Sequence, residues 1–185
     1  MNSKTHILMV CALAVLLNVV LGEAVSMLKI PLLFLDTIGT IFIAATIGMR
    51  YGIMTGIVTN VVMAFWSGPL TVAFALVNVA VAIVVALLAK KGFSYPKALL
   101  AGVILAFLCP MIGAPIRLAL FGGFTGSGTD IIILAIKASG QELITATYWG
   151  AVSGNVVDKI VSSLLVAAFL KTSVCRQFLR TKPMT

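Results

Sequence analysis

The sequence predicts an all-α integral membrane protein, a bundle of six transmembrane helices with the N and C termini cytoplasmic. Three observations carry that prediction. Hydrophobic residues make up 61% of the 185 and charged residues only 10%, against roughly 25% charged in a soluble globular chain. Mean hydropathy is +1.18, and a soluble domain of about 150 residues buries only about 70% of what its unfolded chain exposes. Lipid is therefore the expected solvent. The basic residues, finally, fall in short connectors and tails, as they do on the cytoplasmic side of membrane proteins.

A helix needs about 20 apolar residues to cross the hydrocarbon core. The clearest spans are 6–22, 70–89, 98–121 and 146–170. The apolar stretch 32–66 is too long for one ordinary span and is interrupted by Met49-Arg50-Tyr51-Gly52. Two short helices, about 37–49 and 52–66 and turning at Arg50, account for it. Residues 1–185 then form a single membrane domain, with no convincing internal repeat of the kind inverted-repeat transporters show.

Charge supports this count. Six helices place Lys4, Arg50, Lys90, Lys91, Lys97, Lys171, Arg176, Arg180 and Lys182 on one side, and only Lys29 and Lys137 in the loops of the other. The positive-inside rule makes the first side cytoplasmic. The acidic residues Glu23, Asp36, Asp130 and Glu142 fall at the outer edge, where the longer connectors 23–36 and 122–145 also lie. The second of these opens with a glycine-rich run, Gly122 to Gly128, and continues into an amphipathic segment, Asp130 to Ala138. Lys4 and the apolar run Ile7–Leu21 resemble a signal peptide. No clear small-residue cleavage site follows and further spans do, so this segment is expected to stay as the first helix.

The net charge of +8 would suggest nucleic acid in a soluble protein, but no basic patch is interleaved with stacking aromatics. Orientation and phospholipid contact explain it better. Cys11, Cys109 and Cys175 are odd in number and widely separated, fitting neither a disulfide framework nor a zinc site. With the single His6 at the N-terminus, no metal site and no cofactor are expected. There is no Walker-type phosphate loop, HExxH or GxSxG either. Catalysis is not expected, and transport driven by ATP would need its motor on another subunit.

Ionisable residues inside the membrane cost about 2.5–3.5 kcal/mol on insertion scales, which makes them functional candidates. The last helix carries Gly154-Asn155-Val156-Val157-Asp158-Lys159. Asn155 shares a helix face with Asp158 and Lys159, three and four positions on. Lys159 precedes Lys171 by a distance of roughly 18 Å at a rise of about 1.5 Å per residue, near or above the midplane. These three residues are expected to meet a ligand, the alternative being that they pin neighbouring helices. Asp158 and Lys159 point about 100° apart and are not expected to pair well with each other.

Asp36 and Thr37 open the second helix, as ligand contacts or as caps for its free N–H groups. Pro110 and Pro115 break or kink the fifth helix, and Arg117 just beyond them is placed to bind an anion or to snorkel to headgroups. Asn60 and Asn78 are further candidates, or simply interhelical hydrogen-bonding groups. Tyr148 and Trp149 sit where an outer aromatic belt is expected, and Trp66, beside Ser67-Gly68-Pro69, is similarly open. Gly48, Gly52 and Gly56, Ala82 and Ala86, and Gly150 and Gly154 recur at helix-packing spacing.

With its size, six helices and the stretch from Pro31 to Asn60, PLLFLDTIGTIFIAATIGMRYGIMTGIVTN, the chain resembles the substrate-binding S components of energy-coupling factor (ECF) vitamin transporters. The Asn155/Asp158/Lys159 group also matches where that family presents polar residues to its ligand. The resemblance implies high-affinity capture of a small water-soluble vitamin or precursor near the extracellular side, under the first, third and fifth connectors. It implies docking on a membrane T component coupled to two ATPase subunits. The family's docking face carries AxxxA in the first helix, whereas here Ala12-Leu13-Ala14 is followed by Leu16 where the second alanine would fall. On charge alone the nutrient stays open: Lys159 and Arg117 suit a carboxylate or phosphate, Asp36 and Asp158 an amine or ring N–H, and Trp66, Trp149 and Phe124 a stacked heterocycle. The rival reading is a bacterial membrane sensor or assembly module that binds a ligand or protein without transport.

Overall fold

The computed structural model of the chain describes residues 3–173 and residue 175; Arg176, Arg180 and Lys182 lie outside the described residues. Its helices are α1 (Ser3–Met27), α2 (Ile38–Thr46), α3 (Met49–Ser67), α4 (Ala75–Ala89), α5 (Tyr95–Phe121), α6 (Thr129–Ala138) and α7 (Leu143–Lys171), with a 3-10 turn at Pro69–Phe74 leading into α4. The described residues contain no strand. Four helical segments are long and apolar enough to cross a membrane: Lys4–Met27, Pro69–Ala89, Tyr95–Phe121 and Leu143–Lys171. These coincide with the four spans clearest in the sequence.

The apolar stretch 32–66 does divide into two helices, but the turn falls earlier than Arg50. It is made at Ile47-Gly48, and Arg50 is the second residue of α3. Gly48 has φ of +121°, a conformation open to glycine and costly for residues with a β-carbon. Its role is the turn, and a β-carbon there would meet nothing within 4 Å. The nine residues of α2 rise only about 14 Å, less than half of a hydrocarbon core about 30 Å thick. Of the break or kink expected at the prolines of the fifth helix, no break occurs. Helix α5 runs from Tyr95 to Phe121 with both prolines inside it.

Small residues set the helix spacing. A β-carbon at Gly52 would lie 2.7 Å from the Ala44 Cβ, and one at Gly56 would lie 2.8 Å from the Asn78 Cβ. At Gly102 it would lie 2.7 Å from the Ile160 Cα, and at Gly39 it would fall on the Ala14 carbonyl. Backbones therefore approach in direct contact, which is how helices gain packing energy where lipid removes the hydrophobic drive between them. The Lys171 ammonium lies 4.0 Å from the Tyr95 ring centroid, so the end of α7 meets the start of α5 and the two run antiparallel. Large apolar side chains face outward, among them Leu13 and Phe65, which are 62% and 83% exposed. The interior by contrast buries Asn18, Thr40, Thr59, Asn78, Asp158 and Lys159. These polar groups share the interior with an apolar core that includes Ile41, Val81, Val85 and Leu105, and an apolar outside with the buried polar groups turned inward suits a bilayer.

Candidate functional site

The connector from Leu28 to Thr37 has three non-glycine residues with positive φ, Lys29 (49°), Leu32 (68°) and Leu35 (54°). Each such residue costs about 1–2 kcal/mol, so this path must be held from outside. Asp158 on α7 holds it. One carboxylate oxygen accepts the backbone N–H groups of Phe34 at 2.9 Å and Leu35 at 2.8 Å. Its other oxygen lies 2.6 Å from the Lys159 ammonium. The pairing thought unfavourable for adjacent helical residues is therefore made, because the flexible four-carbon stem of lysine spans the angular separation.

Lys159 also donates to the Thr37 hydroxyl at 3.0 Å and lies 3.6 Å from an Asp36 carboxylate oxygen. Thr37 thus accepts from a lysine instead of capping α2, and no side-chain cap bond forms there. The Lys159 ammonium stands 5.9 Å from the centroid of the Phe34 ring. That ring packs against Gly154, whose added β-carbon would lie 3.2 Å from it. Desolvation pushes the Asp36 carboxyl above its ordinary range; Lys159 opposes that rise and Asp158 adds to it.

A second ion pair anchors the other long connector. Arg117 donates to Asp130 at 2.7 Å and to the Ser127 hydroxyl at 3.2 Å. Asp130 also accepts the N–H groups of Thr125 and Gly126. The side chain of Arg117 is buried, so neither a free anion-binding guanidinium nor a headgroup snorkel describes it. The two connectors then meet: a β-carbon at Gly128 would lie 2.5 Å from the Ile30 carbonyl oxygen.

Beneath this junction lies a cavity of about 200 Å³. Its walls include Phe34, Asp36, Asn60, Asn78, Asn155 and Lys159, with Arg117 and Phe121 contributed by the end of α5. Ser26 and Ser67 line it and are exposed, so it reaches the surface at the end of the bundle where the long connectors lie. Of the predicted residues, Asp36, Asn60, Asn78, Arg117, Asn155 and Lys159 are brought together around it. Asp158 and Thr37 stand behind its wall as supports. Trp66 and Trp149 are not part of it; they are 69% and 51% exposed, and Trp149 packs edge-on against Tyr148. Phe124 is not among its lining residues either. Aromatic side chains with a polar edge suit the outer surface of a membrane bundle.

Sequence reasoning missed Asn18, a single amide in the apolar run of α1. Its NH2 donates to the hydroxyls of Thr40 at 3.0 Å and Thr59 at 3.1 Å, and its oxygen accepts the Gly39 N–H at 2.6 Å. The Thr40 hydroxyl in turn donates to the Asn78 oxygen at 3.0 Å. An uncharged polar residue within so apolar a helix was the available signal. Phe34, Phe74 and Phe121 were missed as well, since an aromatic residue in an apolar sequence gives no sign of whether it faces lipid or a cavity. Comparison with protein-family models, curated proteins and solved structures finds no match to this chain.

Proposed function

We propose that this protein is a membrane-embedded capture subunit for a small water-soluble vitamin or precursor, working as the S component of an ECF-type importer. One observation carries the reading: a surface-connected cavity lined by three asparagines and an aspartate inside a bundle whose outside is apolar. Buried polar groups in a membrane are costly unless they find partners. A cavity that exposes them to a small polar molecule gives them one. Such concave sites with a few convergent polar groups are the usual form of small-molecule pockets.

In this reading α3 and the short α2, which reaches the outer side only through the connector before it, complete six crossings, with both termini cytoplasmic and the cavity near the extracellular side. Segments 28–37 and 122–128 form its roof, and transport is powered by partner ATPases through a membrane T component in the bacterial plasma membrane. No catalytic step is assigned to the chain. The test is a gentle tagged purification from the native host, followed by mass spectrometry of retained proteins and small molecules. Two ATPases and a T-type membrane protein are expected. Recovery alone, or with a signalling protein, across several mild detergents would overturn the importer reading in favour of a sensor.

A further inference from the structure

The hydrogen-bond polarity of the cavity wall is set by the scaffold behind it. Asn60 donates its NH2 to the Gly56 carbonyl at 3.0 Å, and Asn155 donates its NH2 to the Ala151 carbonyl at 2.9 Å. A carbonyl only accepts, so both amides are fixed in orientation and both leave their oxygen for the cavity. Asp36 lines the cavity with a side chain that stays 28% exposed; one carboxylate oxygen is shut away 3.6 Å from the Lys159 ammonium, and the exposure belongs to the rest of the side chain. Asn78 is fixed the opposite way. The Gly39 N–H orients Asn18, Asn18 orients the Thr40 hydroxyl, and Thr40 donates to the Asn78 oxygen. Its NH2 is the group left for a ligand.

The charges point the same way. The charged residues lining the cavity are Asp36, Arg117 and Lys159. Both cations are already matched by carboxylates outside the lining, Asp130 at 2.7 Å and Asp158 at 2.6 Å. Counting each partner, the surplus charge is that of Asp36. The rings of Phe74 and Phe121, stacked with centroids 5.7 Å apart, and Phe34 supply apolar and π surface suited to a flat cation.

From this polarity we infer that the ligand is a small cation rich in N–H donors, a protonated amine or nitrogen heterocycle carrying one acceptor for Asn78. A carboxylate or phosphate would meet two amide oxygens and an aspartate. The inference rests on the capture reading and names its substrate class.

The purified full chain in mild detergent, titrated calorimetrically with benzamidinium and with benzoate, tests it, because the two probes are planar, near-equal in size and opposite in charge. Benzamidinium is expected to bind at least about tenfold more tightly than benzoate, and Asp36→Asn to weaken it about tenfold, the scale of one charge-assisted hydrogen bond. Asn155→Leu removes an acceptor at a different position and is expected to weaken benzamidinium too, which keeps the test alive if Asp36→Asn fails to fold. Equal or tighter benzoate binding, no benzamidinium binding at millimolar concentration, or unchanged affinity in the folded variants would overturn the assignment. Preference for benzoate in a protein that still retains ATPases would sink the charge class alone. Preference for benzamidinium without ATPases would support the class and sink the importer.

Discussion

The Asp158 carboxylate on α7 accepts the backbone N–H of Leu35 at 2.8 Å across 123 positions of sequence. That bond, with its twin to Phe34, ties the first long connector to the last helix and so defines one side of the cavity. The same carboxylate neutralises Lys159, so one buried residue holds both the roof and the charge balance.

Asp158→Ala should therefore act on stability before it acts on binding. It leaves a buried ammonium without its nearest counter-charge and two N–H groups without an acceptor, and breaking a buried pair costs about 3–5 kcal/mol. Lys159→Met should cost a comparable amount by leaving two carboxylates close together. In thermal unfolding of Asp158→Ala, Lys159→Met and their combination, the pair should show a coupling of about 1–3 kcal/mol. Strict additivity would mean the two residues do not act as a unit.

Gly154→Leu should open the roof by pressing on the Phe34 ring and on the Thr129 hydroxyl, 3.3 Å from a built β-carbon. Its side chain would occupy the space of the Phe34 ring, which already lies 3.2 Å from a built β-carbon. Overpacking of this kind costs about 1–3 kcal/mol. The expected signature is faster proteolysis within 28–37 together with weaker ligand binding. Unchanged proteolysis and affinity would show that Phe34 is not a structural part of the site.

Gly52→Leu should disturb the α2–α3 hairpin, because Ala44 leaves no room for a side chain. A fall in melting temperature with reduced yield is expected. Leucine at Gly48 should also destabilise, but through its backbone, since no atom lies within 4 Å of a β-carbon there. At φ +121° and ψ 174° Gly48 lies where essentially only glycine is at ease, so Ala there should destabilise about as much as Leu. At Gly52 the loss comes from side-chain volume, so Ala should cost clearly less than Leu. The same ratio of Ala to Leu effects at both positions would contradict the distinction.

Asp36 gives the site a pH dependence. Burial raises its carboxyl, Lys159 opposes and Asp158 reinforces the rise. With the folded value above the unfolded one, the fold favours protonated Asp36, and the empty protein loses that contribution as pH rises through the folded value. A cationic ligand needs the carboxylate, so benzamidinium affinity should fall as pH is lowered through the same range. Asp36→Asn should flatten the profile. A profile unchanged by that substitution would assign the titration to another group.

Much of this was legible in the sequence, for identifiable reasons. The span 98–121 is apolar but for Arg117, and α5 ends at Phe121 as expected. Asp158 and Lys159 stood out because ionisable groups are rare in membrane helices. Their mutual pairing was hidden because helical geometry fixes the direction of Cβ and leaves a long lysine stem free to bend. The internal pairing of Arg117 was equally hidden, since its partner Asp130 lies beyond a glycine-rich connector whose path no local rule dictates. Asn18 escaped notice because one amide in α1 has many conceivable partners, and only the packed bundle selects Thr40, Thr59 and Gly39. Trp66 and Trp149 stayed open between ligand stacking and the lipid interface, because the same side chain suits both, and only the packed bundle leaves them outside the cavity.

The most direct measurement is native mass spectrometry of the protein released from mild detergent after growth in rich medium, comparing the wild type with the Asn60→Leu/Asn155→Leu variant. The wild type should carry a small-molecule adduct, and the variant, folded but lacking both cavity amides, should carry none or much less. The same adduct at the same occupancy in both, or a wild type that carries none, would contradict capture of a small molecule in this cavity.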